Sequence, residues 1–167
     1  MSLLSAGYAE PLHPLVPKDF DVLVLFDHER FRLRMLSVND VVKDFDAVVT
    51  SREHLNDLFG PGWPEGLTLE QNLVDLGWHQ KEFERRTSFA YAVFAQSGRE
   101  VLGSVYVSPS DRSAFDAEVR YWVRSRELPS GLQERLGALL ADWMEDVWPF
   151  INPRYRPRLR SPRARLH

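Results

Sequence analysis

The chain has 167 residues, 44% hydrophobic and 27% charged, enough for one domain with a real core. It contains no cysteine, which excludes a disulfide framework, a thiolate nucleophile and cysteine-ligated zinc. The formal net charge of −3 is unevenly placed: residues 1–150 hold all 24 acidic side chains against 15 basic ones, a net of −9, while residues 151–167 hold six arginines and no acid. An acidic body argues against nucleic-acid binding by the body and leaves the arginine tail as the segment suited to phosphate contacts. No apolar run approaches the roughly 20 residues of a membrane span. Met1 to Pro17 lacks the basic start and apolar stretch of a secretory signal. A cytoplasmic protein without membrane contact is therefore expected.

Residues 1–20 carry Pro11, Pro14 and Pro17 and read as an irregular arm. The apolar run 21–26 is an edge segment. Phe31-Arg-Leu-Arg-Met-Leu36 alternates polar and apolar residues, the pattern of a half-buried strand. Asn39 or Asp40 can cap one helix over 40–58, with Val41, Phe45, Val48, Val49 and Leu55 near its buried face. Gly60-Pro-Gly-Trp-Pro64 ends it. Thr68 and Gln71 form a capping box that starts a second helix running to about Arg86. Three strands follow, 87–96, 101–107 and 117–123, the first two joined by a turn at Ser97-Gly98-Arg99. They predict an antiparallel meander. Leu132, Leu136, Leu139, Leu140 and Trp143 mark a last helix, stopped by Pro149. The order of elements is that of an α+β domain.

Two segments resemble one family. Asp116-Ala-Glu-Val-Arg-Tyr-Trp-Val123 resembles the fourth strand of the GNAT superfamily of acyl-CoA-dependent N-acetyltransferases, where a pattern close to a-E-h-G-Y-W-V is common. His28-Glu-Arg-Phe-Arg-Leu-Arg-Met-Leu-Ser-Val-Asn-Asp40 is similar to the T-E-R-L-x-L-R-x-L-x-x-x-D opening of the subgroup that includes ribosomal-protein alanine acetyltransferases. The resemblance implies a mixed, mainly antiparallel sheet flanked by helices. It also implies that the C-terminal strands are reduced or missing, because only some 17 residues follow the last helix. The domain is expected over 1–150. Residues 151–167 are expected as a tail, with a short last strand near 150–155 and disorder beyond.

The same resemblance implies transfer of an acetyl group from acetyl-CoA to a primary amine, on a small molecule or a peptide, with no metal. Glu118 is the implied general base, against the plainer reading that it pairs with an arginine on a neighbouring strand. The backbone of Tyr121, Trp122 and Val123 is implied to hold pantetheine. The family's Arg-Gly-x-Gly phosphate loop falls on Leu128-Pro129-Ser130-Gly131, where only the last glycine is kept. Ser130 and Gly131, with Arg124 and Arg126 nearby, are then the phosphate ligands; the plainer reading is a turn in which Ser130 caps the next helix. Trp63, Trp78 and His79 are placed at the acceptor cleft, against the plainer reading that they are packing and surface residues. Tyr106 can also reach the site from its strand. The five histidines show no metal-ligand spacing. The alternative function is a non-catalytic scaffold of the same fold that binds a partner or forms a homodimer through an open sheet edge. A third is RNA contact through the tail.

Overall fold

The computed structural model describes residues 13–159; the first twelve residues and the end of the arginine tail lie outside it, as does the expected disorder there. Six strands form one sheet: β1 (Leu25–Asp27), β2 (Arg32–Met35), β3 (Phe89–Phe94), β4 (Val101–Ser108), β5 (Ala117–Val123) and β6 (Pro153–Arg156). They lie side by side in chain order. Every neighbouring pair is antiparallel except β5 with β6, which is parallel. A parallel pair needs a crossover, and helix α4 (Leu132–Asp146) supplies it. The last strand therefore begins beyond the boundary expected at residue 150, and the sheet includes it.

Alternation along the strands builds two cores. On one face, Leu33, Tyr91, Val105, Val119, Tyr121 and Val123 pack beneath α4 with Leu136, Leu140 and Trp143. On the other, Ala90, Ala92, Tyr106 and Trp122 meet α1 (Val41–Val49), α2 (Arg52–Phe59) and α3 (Leu69–Arg85) through Val48, Leu55 and Leu76. The strands β3, β4 and β5 are buried along nearly their whole length because helices cover both faces.

The capping box forms as expected: the Gln71 backbone N–H donates to Thr68 Oγ1, and the Thr68 N–H to Gln71 Oε1. The single helix expected over 40–58 does not form. A short 3₁₀ turn at Val38–Asp40 leads into α1, and Thr50-Ser51 separates α1 from α2. Thr50 Oγ1 donates to the Asp46 carbonyl at 2.6 Å, and Ser51 accepts from the Ser125 N–H at 3.1 Å. A tertiary hydrogen bond thus fixes the break. Asp40 does not cap α1; its carboxylate accepts from the Ser37 N–H and pairs with Arg34 at 2.6 Å. The buried residues of α1 are Asp44, Ala47 and Val48, so the inward face is rotated from the one expected and carries a carboxylate.

Candidate active site

Two features of the sheet are candidates for a site. The first is an opening in its edge. The β5–β6 ladder runs from Ala117 opposite Pro153 to Arg120 opposite Arg156 and stops there. Pro157, which has no N–H, follows. Tyr121, Trp122 and Val123 remain paired to β4 but have no strand on their other side among the described residues. The Arg124 N–H donates to the Leu102 carbonyl on the β4 side. By alternation, the Tyr121 carbonyl and the main-chain groups of Val123 face the opening, while the Tyr121 N–H serves the pairing of Arg120 with Arg156. All three expected pantetheine residues are thus brought to one edge.

The second feature is a partly open pocket beneath α1 and α3, on the face that Trp122 shares. Leu36, Asp44, Trp63, Asn72, His79 and Tyr106 line it, with Asp75 and Leu76, around a space of about 10 Å³. That is room for the centre of one water-sized group. Asp44 is only 3% exposed. Its Oδ2 accepts from Asn72 Nδ2 at 2.9 Å, and its Oδ1 has no partner. His79 Nδ1 is likewise buried without a hydrogen bond, and Ser104 Oγ makes none of good geometry, although its hydroxyl lies close enough to Asp44 and Tyr106 to favour their ionised forms. The Trp122 indole donates to Tyr106 Oη at 3.4 Å, and the His79 and Tyr106 rings lie 5.2 Å apart.

Burial reverses the usual order of proton affinity here. Loss of hydration, partly offset by hydrogen bonding from Asn72 and Ser104 and reinforced by Asp40 and Asp75, raises the Asp44 carboxyl to about 6. Loss of hydration lowers the His79 imidazole to about 4. Near neutrality the imidazole is uncharged, and Asp44 is a group in this pocket with a proton affinity close to neutrality. Burial also pushes the Tyr106 phenol well above its ordinary value, so it keeps its proton. Of the three expected acceptor residues, Trp63 and His79 line the pocket. Trp78 does not: it is 43% exposed, with the Lys81 ammonium 4.7 Å from its ring centroid.

Glu118 is not the free carboxylate that a base requires. It is 2% exposed, and its oxygens take Arg120 Nε at 2.5 Å and Arg154 at 3.3 Å, with Arg156 at 3.8 Å. A buried carboxylate held this way organises cations, and its lone pairs are engaged. Asp44 was missed by sequence reasoning, although its spacing from Val48 on an amphipathic helix places it on the buried side.

The expected phosphate ligands are also redirected. Arg124 is 3% exposed and turned inward, to the Val101 carbonyl at 2.6 Å, Asp46 at 2.8 Å and Thr50 at 3.2 Å. Arg126 pairs with Glu100 and Glu127. Residues Ser125–Ser130 form a 3₁₀ turn, and Ser130 Oγ donates to the Glu127 carbonyl rather than capping α4. Gly131, at φ 73°, is the N-cap, and its N–H is spent on the Leu128 carbonyl. What remains for an anion is the first turn of α4, whose N–H groups lack helical partners, with Glu134 beside them.

Neither protein-family models nor curated proteins match this sequence. Solved structures do match. The ribosomal-protein-S5-alanine acetyltransferase from Vibrio fischeri superposes with a TM-score of 0.59 at 22% identity, over 74% of this chain and 67% of that one. The apo form of the RimL ribosomal L7/L12 alpha-N-protein acetyltransferase gives 0.58 at 18%, over 78% and 70%. The same enzyme in complex with coenzyme A gives 0.58 at 18%, over 71% and 67%. At these identities the likeness is one of fold, and the fold is that of the GNAT acetyltransferases.

Proposed function

We propose that this chain, which carries the GNAT fold, is an N-acyltransferase that moves an acetyl group from acetyl-CoA to a primary amine. The observation that carries the reading is the edge of β5 left open beyond Arg120, where the Tyr121 carbonyl and the main-chain groups of Val123 can bond to an extended pantetheine arm. The amine nitrogen attacks the thioester carbonyl. The C–N bond forms, the C–S bond breaks, and the thiolate of coenzyme A departs.

A proton must move from the amine to the thiolate. Asp44 is the proposed acceptor of the amine proton, since burial gives it a proton affinity close to neutrality. The proton taken up by Asp44 is the one returned to the thiolate, and Tyr106, which keeps its proton, is proposed only to donate a hydrogen bond. Glu118 is proposed to position Arg120, Arg154 and Arg156. The phosphate end contributes little, because Arg124 and Arg126 are already paired. Donor binding therefore rests mainly on pantetheine.

Calorimetric titration with acetyl-CoA, dephospho-CoA and free pantetheine tests this. Micromolar to submillimolar binding of acetyl-CoA, with pantetheine within about tenfold, is expected. No binding of any of the three at millimolar concentration refutes the reading and favours the scaffold. Given binding, Asp44→Asn should lower kcat by the roughly 10²–10⁴-fold typical of a lost general base while leaving the acetyl-CoA Kd unchanged.

A further inference from the structure

The acidic pocket and the arginine cluster are neighbours on one face of the sheet. Tyr106, which lines the pocket, stands directly opposite Arg120 across the β4–β5 pair. Arg120 in turn stands opposite Arg156 across β5–β6, and Glu118 opposite Arg154. Residues in register across a sheet project to the same side, and strands lie about 4.8 Å apart. The row Tyr106–Arg120–Arg156 thus spans about 10 Å between backbones, passing from a carboxylate pocket to a cationic patch.

Each end has a chemistry that is unmet. In the pocket, Asp44 Oδ1 is an unpartnered acceptor on a side chain 3% exposed. A buried acceptor left open is costly, which favours filling it with a donor. The space admits a group the size of a water molecule, with Asp75 and the rings of Trp63 and Tyr106 around it. A primary ammonium matches that size, charge and donor count, and aromatic walls favour a cation. At the other end, three guanidiniums surround Glu118, and Arg154 also lies 4.0 Å from Asp111, which is 85% exposed. The guanidiniums are 23–38% exposed, so they reach solvent and a ligand. Each carries five N–H donors, and Glu118 cannot occupy them all.

We propose that the acceptor is a zwitterion: its primary ammonium enters the Asp44 pocket and its carboxylate or phosphate is held by Arg120, Arg154 and Arg156. This deepens the N-acyltransferase reading by naming the acceptor class. It also explains why Glu118 is buried among arginines, since it fixes three long side chains in one place for an anion.

The test is binding of defined probes to the intact protein, by calorimetry or ligand-observed NMR, with and without saturating acetyl-CoA. The probes are glycine, β-alanine, γ-aminobutyrate and ε-aminocaproate, with butylamine and butyrate as single-charge controls. At least one zwitterion should bind at least tenfold more tightly than butylamine and than butyrate. Asp44→Asn should weaken it about tenfold, and Arg156→Met should do the same without changing the butylamine affinity. Butylamine binding as tightly as every zwitterion overturns the proposal, as does no binding in either condition, which would leave the pocket to a structural water. The acyltransferase reading is judged separately by acetyl-CoA binding, so one can fail while the other stands.

Discussion

Replacing Asp44 by Asn should make the protein more stable while lowering the proposed acyltransferase activity. In the unfolded chain this carboxyl ionises near 3.8, and in the folded protein near 6. The charged form is therefore disfavoured by folding. The folded state has its full relative stability below about pH 4 and loses it as pH rises towards and through 6. The gap between 3.8 and about 6, at about 1.36 kcal/mol per pH unit, amounts to about 3 kcal/mol above pH 7. Asn cannot ionise, so it avoids this cost. Its amide oxygen can still accept from Asn72, which holds Oδ2 at 2.9 Å. Allowing for imperfect replacement, the variant should gain about 1–3 kcal/mol at pH 8, and less than about 1 kcal/mol at pH 4.5. Urea unfolding of both proteins at the two pH values gives this difference directly, because every other titrating group cancels. A variant that is destabilised equally at both would show that Asp44 does not bear a burial cost, and the pocket argument would fall with it.

The His79 imidazole should titrate near 4 by NMR, since burial holds it neutral; a midpoint near 6.5 would mean the ring is hydrated. Being lowered in the folded state, it makes stability fall as pH drops from 6.5 towards 4. Gly103→Ala should destabilise by about 3 kcal/mol or more in denaturant titration, because its Cβ would lie 1.9 Å from the Trp122 carbonyl oxygen, a backbone atom. Wild-type stability in that variant would mean β4 and β5 are further apart. Arg126→Ala should leave the acetyl-CoA Kd within about twofold, whereas Arg124→Met should cost about 2 kcal/mol or more of stability by stripping buried partners. A large loss of donor affinity in Arg126→Ala would restore that arginine to the phosphates.

The sheet was legible where local chemistry and tertiary environment agree. The meander β3–β5 and the Thr68–Gln71 capping box follow from alternation and spacing alone. The helix break at Thr50-Ser51 was not, because its cause is the hydrogen bond to Ser125, which lies 74 positions away. Arg124 illustrates the same limit: a basic residue after a strand reads as an anion ligand, and only the packed structure turns it onto Asp46 and the Val101 carbonyl. For Glu118 the plainer reading, pairing with arginine, matches the structure, but two of its partners lie on β6, in a segment that reads as tail. In the site, the residues found by resemblance lie on the strand whose pattern is preserved. The one missed, Asp44, sits on a helix whose inward face was misjudged by roughly one position.

The shape of β6 bears on how this protein behaves at high concentration. A terminal strand normally offers a row of free main-chain donors that recruit further strands. Here that strand is bracketed by Pro153 and Pro157, neither with an N–H, and carries Arg154 and Arg156 between them. Its ladder with β5 covers only four residue pairs. Such an edge is a poor template for strand addition, since charge and missing donors both oppose it. Among the described residues this side of the sheet is therefore terminated chemically, by charge and by missing donors, beside the opening at β5.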